Sequence, residues 1–209
     1  SLFSAEAPSA PITQLSKSGE LITWQPCNDQ STLVAKGMPW QAGIGTWAVE
    51  GGAVRATEEG PSEARPKGHE AVCEYVGEFS DIILSAEFKG NAAPHVGFVF
   101  RDDQKPNNHQ GRLIINPDKV ELHKMSGIGK TTRREVVTAL DLKLSQDEWH
   151  TITIEVCGDQ FRAVIDGKHI IEGKHERFGA AKGRIGMVAK GNTAQFRNFG
   201  IWKAAPKAH

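Results

Sequence analysis

The amino-acid sequence predicts an all-β protein built as a two-sheet antiparallel β-sandwich. Three observations carry that prediction. Apolar and polar residues alternate along many short segments, turn dipeptides separate those segments, and no long stretch keeps helical spacing. The clearest region is Asp147 to Trp202. In Trp149–Val156 the apolar Ile152, Ile154 and Val156 alternate with Thr151, Thr153 and Glu155, the pattern of a strand with one buried face. Phe161, Ala163 and Ile165 repeat it. Asp166-Gly167 then supplies a dipeptide that tolerates positive φ at both central turn positions, so Gln160–Ile165 and Lys168–Glu172 are predicted to pair as a tight hairpin. Arg184–Lys190 and Ala194–Trp202 close the domain.

Upstream, Gly43–Ala56 reads as a hairpin, with Trp47 and Val49 on one strand, Glu50-Gly51-Gly52 turning, and Val54 returning. Glu58–His69 is a polar loop containing Pro and Gly. Ala71–Val76, Asp81–Lys89, His95–Arg101, Arg112–Asn116 and Lys119–Met125 follow as strands. Arg133–Leu142 has partial helical spacing in Val136, Val137 and Leu140, but the β-branched Thr131, Thr132, Val136, Val137 and Thr138 favour strand or loop.

A chain of 209 residues with 39% hydrophobic content suits one core. The expectation is a single domain over 19–203, between a Ser/Ala/Pro-rich tail or edge-hugging extension at 1–18 and a short tail at 204–209. Lys+Arg and Asp+Glu are both 25, so the formal charge is zero and no electrostatic footprint for nucleic acid appears. No run approaches the roughly eighteen apolar residues of a membrane span, so insertion is not expected. Ala5-Glu6-Ala7 has the small-x-small form of a signal-peptidase site, which gives an expectation of export to the periplasm or the exterior. A chance Ala-x-Ala in a flexible start stands beside that reading. Cys27, Cys73 and Cys157 are too few and too dispersed for a disulfide scaffold or a zinc site. At most one bridge can form, and Cys73 and Cys157 read as buried small apolar residues. The sequence leaves the oligomeric state open.

Alternation also sorts side chains by face. In His95–Arg101 it sends Val96, Phe98 and Phe100 to the core and leaves His95, Gly97, Val99 and Arg101 on the other side. Arg112, Ile114 and Asn116 share a face, as do Lys119, Glu121, His123 and Met125. Were these strands neighbours, they would make one polar sheet face suited to a hydroxyl-rich saccharide through directional hydrogen bonds. Any one-sided antiparallel sheet shows water the same alternation. Gly97 is expected to leave room for a sugar ring, and Trp40, beside Pro39, is the candidate exposed stacking surface. Glu121 and His123, two apart on one face, are the best local acid/base pair and the candidate catalytic residues. The Asp102–Gln110 loop, with Asp102, Asp103, Asn107 and Asn108, offers oxygen ligands for Ca²⁺ but lacks EF-hand spacing, so no metal or other cofactor is predicted.

Several motifs occur in a fixed order: Gly45-Thr46-Trp47-Ala48-Val49-Glu50-Gly51-Gly52, Phe79-Ser80-Asp81-Ile82 running to Glu87-Phe88-Lys89, Val96-Gly97-Phe98-Val99-Phe100-Arg101, Glu148-Trp149-His150, Asp166-Gly167-Lys168, and Gly183-Arg184-Ile185-Gly186 before Phe196-Arg197-Asn198. That series resembles the 3-keto-disaccharide hydrolase domain family over roughly Gly43 to Trp202. The resemblance implies a concanavalin-like jelly roll, an exported bacterial protein, and hydrolysis or lyase chemistry on 3-keto-glycosides. It implies substrate-binding roles for Arg101, which keeps the Val-Gly-x-x-Phe-Arg context, and core positions for Trp47 and Trp149.

The chain departs from the family's pattern in three places. Pro94-His95-Val96-Gly97 stands where many members have Asn-Ser-Gly. Gly111-Arg112-Leu113-Ile114-Ile115-Asn116 replaces a run with acidic and Gln residues, and Val188-Ala189-Lys190-Gly191 replaces a Gln-x-His-Gly pattern. The shared polar face makes His95, Arg112 and Asn116 substrate-binding candidates, and Lys190 is added to them. Glycoside hydrolysis ordinarily needs two carboxyl groups about 5 to 9 Å apart, and the Glu-x-Asp-x-x-Glu strand motif of concanavalin-like glucanases is absent. A 3-keto group weakens the bond at C2, so a single base with an electrophile such as Arg or a metal could support elimination without the second carboxylate. A noncatalytic carbohydrate-binding module and a laminin-G-like protein-interaction sandwich are the alternatives.

Overall fold

A computed structural model describes residues 7–208. Its strands are β1 (Ser16–Gln25), β2 (Trp40–Ile44), β3 (Thr46–Glu50), β4 (Ala53–Thr57), β5 (Ala71–Phe79), β6 (Ile82–Lys89), β7 (His95–Asp102), β8 (His109–Ile115), β9 (Lys119–Ser126), β10 (Arg133–Asp141), β11 (His150–Cys157), β12 (Gln160–Ile165), β13 (His169–Lys174), β14 (Lys182–Lys190) and β15 (Gln195–Pro206). Helical structure among the described residues is confined to single 3₁₀ turns at Gln30–Thr32, Gly129–Thr131 and Glu176–Gly179.

Two antiparallel sheets face each other as a jelly-roll sandwich. One runs β13-β12-β11-β6-β15-β4-β3, with β1 also paired to β15; the other runs β10-β9-β8-β7-β14-β5-β2. Their inner faces carry the residues that alternation assigned to the core. Val96, Phe98 and Phe100 of β7 pack with Phe88, Phe161, Phe196 and Phe199 from the opposite sheet, all buried in one cluster. Phe98 lies 6.2 Å from Phe88 and 6.0 Å from Phe196, both edge-on, the arrangement that ring quadrupoles favour. The Asp166-Gly167 turn has φ of 54° and 66°, as its hairpin requires. Arg133–Asp141 is a strand, in keeping with its β-branched content.

The structure corrects several boundaries. A strand absent from the sequence reading, β2, precedes the predicted hairpin and belongs to the other sheet. The chain crosses between sheets at Gly45, whose φ is +75° and whose Cβ would sit 2.3 Å from the Thr57 carbonyl, so only glycine fits. At the N-terminal side, β1 begins at Ser16, inside the segment expected as a tail, because Glu155 fixes it there. This buried carboxylate accepts from Gln14 N (2.9 Å), Leu15 N (2.9 Å), Ser16 N (3.0 Å) and Ser16 Oγ (2.9 Å). At the other end β15 runs on to Pro206, paired with Ser16, so the expected C-terminal tail is largely strand. Ala5 and Glu6 of the Ala-Glu-Ala element lie outside the described residues. All three cysteines are free thiols; Cys27 and Cys73 are buried and Cys157 half-buried, and burial pushes Cys27 up to about 12.

Candidate functional site

The outer face of the second sheet carries its own apolar floor. Val72, Val99, Ile114 and Val188, one each from β5, β7, β8 and β14, form a cluster separate from the main core, with Ile44 packed against it. Two segments rise beside this floor. One is the loop ahead of β5, pinned by paired Glu59–His69 backbone hydrogen bonds of 2.9 Å and by the Arg65–Glu59 ion pair at 2.6 Å. The other is the Gly127–Thr132 turn after β9, where Gly127 has φ +76° and a Cβ would meet the Thr131 carbonyl at 2.4 Å. Between them lies an open cleft of about 1070 Å³.

Strand register places the predicted polar residues beside one another: Arg112 pairs with Val99 on one side and with His123 on the other, and Glu121 lies opposite Ile114. They form a continuous hydrogen-bonded chain. His95 Nε2 meets Glu70 Oε2 at 2.7 Å, and Arg112 Nη1 donates to Glu70 Oε1 at 3.2 Å. Arg112 Nε donates to His123 Nδ1 at 3.2 Å, His123 Nε2 meets Glu121 Oε2 at 3.3 Å, and Lys119 pairs with Glu121 at 2.9 Å. Because Nδ1 of His123 accepts, its proton sits on Nε2 and points to Glu121. Burial, reinforced by Arg112, lowers the His123 pKa and keeps the ring neutral. With both nitrogens engaged and the side chain only 2% exposed, His123 orients Arg112 rather than touching a ligand. Glu121 is likewise occupied and does not line the cleft.

Of the residues expected to bind substrate, Arg101 and Arg112 line the cleft. Arg101 meets Glu74 at 2.8 Å, at ion-pair distance without hydrogen-bond alignment, and Glu74 also pairs with Arg184 at 3.4 Å. His95 stands one step back, tied to Glu70. Lys190 pairs with Glu58 at 3.1 Å, and its neighbour Gly191 N donates to the same carboxylate. Asn116 is a correction: it sits in the turn between β8 and β9, hydrogen-bonded to Lys119, and borders a small recess near Phe88 and Leu144 instead of the cleft. Trp40 is another, being 5% exposed on β2, edge-on to Phe199 at 4.9 Å, with Nε1 donating to Thr23 Oγ1 at 3.1 Å. Gly97 opens no space for a ring either, since Ile114 Cδ1 and the Leu113 carbonyl would lie 2.6 and 2.7 Å from a Cβ there. In the Asp102 loop, Asp102 Oδ2 is taken by Arg177 at 2.6 Å and Oδ1 by Asn108 N at 2.9 Å, which spends the carboxylate a calcium ion would need.

Glu70 and His109 line the cleft, and the sequence reading had placed neither in the site. Burial raises Glu70, but the His95 hydrogen bond and the Arg112 charge outweigh it and hold the carboxyl below its ordinary value. Glu70, Val72 and Glu74 alternate at the start of β5, a pattern that marks one face. His109 begins β8, three residues earlier than predicted. Its Nδ1 donates to the Gly127 carbonyl at 3.0 Å, which fixes the proton there and leaves Nε2 as a lone pair with no protein partner among the described residues. Burial and the Arg101 charge lower its pKa, so the free base prevails at neutral pH. A neutral base beside two guanidinium groups can remove a proton whose departure places negative charge on a neighbouring oxygen.

The fold recurs in solved structures of low identity. The chain is similar to the carbohydrate-binding module CBM66 from Bacillus subtilis (TM-score 0.60, 19% identity, covering 79% of this chain and 96% of that one). It is similar to a Bacillus subtilis protein of unknown function with a galectin-like fold (TM-score 0.66, 16% identity, 92% and 100%). It also resembles porphyranase B from Zobellia galactanivorans (TM-score 0.65, 13% identity, 96% and 100%). No curated sequence relative matches. Residues 23–201 match the family described as the 3-keto-alpha-glucoside-1,2-lyase-like domain, and with most of its length inside that match the chain belongs to this family.

Proposed function

We propose that this carbohydrate-active domain binds a saccharide in the cleft over the second sheet and cleaves 3-keto-glycosides by elimination. One observation carries the reading: Glu70, the carboxylate of the cleft lining, is locked by His95 and Arg112, whereas His109 offers a neutral nitrogen next to Arg101. Hydrolysis by two carboxyl groups needs one protonated and one ionised carboxyl flanking the bond. The lining supports a single-base route better. In it, His109 Nε2 takes the C2 proton, acidified by the C3 ketone, and the C2–H electron pair becomes the C1=C2 double bond as the C1–O bond breaks. The departing glycosyl oxygen takes up the proton that His109 has removed, which restores the neutral ring. Arg101 and Arg112 hold the C3 oxygen as charge develops on it. Export remains part of the proposal, on the Ala5-Glu6-Ala7 element alone.

Incubation with a panel of 3-keto-disaccharides and their unoxidised counterparts tests this. Turnover confined to the keto sugars is the expected result, and equal turnover of unoxidised sugars would refute elimination. Saccharide binding without turnover would instead give the noncatalytic module, a reading that the likeness to CBM66 supports. The cationic lining of the cleft argues against an apolar protein-docking sandwich of the laminin-G kind.

A further inference from the structure

The chain balances its charge overall, with 25 basic and 25 acidic residues, but the cleft does not share that balance. Arg65, Lys67, Arg101, Arg112, Lys130 and Arg134 line it, against Glu70. Ion pairs neutralise half of these cations: Arg65 with Glu59 at 2.6 Å, Arg101 with Glu74 at 2.8 Å, and Arg112 with Glu70 at 3.2 Å. Lys67, Lys130 and Arg134 have no carboxylate oxygen within 4.0 Å among the described residues.

Their placement is not that of scattered surface charges. Register puts Arg134 opposite Met125, itself a lining residue, across β9 from Arg112. Arg134 is close enough that its charge adds to burial in lowering the Arg112 guanidinium, a repulsion between two cations of one site that Glu70 opposes. Lys67 and Lys130 come from the two walls, which enter from opposite ends of the strands. An isolated cation on a convex surface is solvated at little cost. Cations around an apolar, concave floor such as Val72, Val99 and Val188 focus their field into the space above it. Glu70 offsets Arg112 and leaves the charges of Lys67, Lys130 and Arg134 uncompensated.

We propose that the cleft selects saccharides bearing an acidic group, a carboxylate or a sulfate ester, which Arg134 engages together with Lys67 and Lys130 while the sugar ring reaches Arg101 and Arg112. Arg134 offers the planar fork that matches either oxyanion. This selectivity rests on the cleft being the saccharide site.

Calorimetric titration of the intact protein with a neutral disaccharide, its uronate counterpart and its sulfate ester tests the proposal, with inorganic sulfate as the anion alone. The acidic sugars are expected to bind about tenfold tighter than the neutral one. That margin should shrink at high salt and disappear in a Lys67→Gln/Lys130→Gln/Arg134→Gln variant, whose exposed substitutions leave thermal unfolding unchanged. The uronate and sulfate arms show which acidic group is preferred. Equal or tighter binding of the neutral sugar would overturn the selectivity and leave the saccharide site standing. Inorganic sulfate binding as tightly as the acidic sugars would overturn it by reducing the cleft to an anion site. Absence of all sugar binding would overturn both readings.

Discussion

His109→Asn separates the chemical role of His109 from its structural one. The asparagine amide can reproduce Nδ1 as donor to the Gly127 carbonyl, a bond of 3.0 Å, while removing the Nε2 lone pair. The turn at Gly127 should hold, so the melting temperature is expected to move little. Loss of a positioned general base costs about 10²- to 10⁴-fold in rate, or roughly 3 to 5 kcal/mol of barrier. The assay is kcat/KM on a 3-keto-disaccharide as a function of pH. Burial and Arg101 set the His109 pKa below its ordinary value, so the wild-type profile should be flat above about pH 6.5 and fall as acid protonates the ring. The same depressed pKa adds stability that is complete above the unfolded value and lost as pH falls through the folded one. The acid limb of the rate profile should vanish in the variant, and the acid dependence of stability should lose the share due to His109. Unchanged kcat/KM in His109→Asn, or a wild-type profile without an acid limb, would refute the assignment.

Arg112→Met should lower kcat on keto sugars about 10²-fold or more, since a guanidinium facing the developing oxyanion is lost, while circular dichroism stays native. His123→Phe, which removes the acceptor holding Arg112 Nε at 3.2 Å, is expected to give a smaller loss that leaves the acid limb of the pH profile in place. Lys182→Met should destabilise the domain by about 2 to 4 kcal/mol in denaturant unfolding. The buried ammonium, pushed down to about 8 chiefly by burial, donates to the Ser80 (2.8 Å), Phe178 (2.9 Å) and Ala180 (3.2 Å) carbonyls. Glu155→Ala removes the acceptor of four hydrogen bonds and should speed amide exchange in Gln14–Ser16 selectively, at an overall cost of about 2 to 4 kcal/mol.

Much of the sandwich was legible because alternation is a local property. Ile152, Ile154 and Val156 declare their face without reference to any other strand, and a positive-φ dipeptide declares its hairpin. What failed needed knowledge of distant partners. β2 was missed although Trp40, Ala42 and Ile44 alternate with Gln41 and Gly43, because Pro39 ahead of it and Gly43 within it read as loop, and the burial of Trp40 comes from Phe199, far along the chain. The same ignorance made Trp40 look exposed beside Pro39. Among the residues that line the cleft, Arg101 and Arg112 were visible in the sequence because they lie inside well-patterned strands. His109 and Glu70 were missed because one is the first residue of β8 and the other lies just ahead of β5, where loop composition masks the period. Glu121 and His123 were correctly seen as neighbours on one face, but alternation cannot show that a guanidinium on the next strand hydrogen-bonds the imidazole.

Pairing of β1 with β15 brings Ser16 opposite Pro206, two residues near the ends of the described chain, on the sheet that does not floor the cleft. A short peptide could therefore join them, and the sequence could be reopened at the exposed Gly51-Gly52 turn without disturbing a core contact. The same adjacency means that the chain enters β1 and leaves β15 at one place, on the sheet away from the cleft.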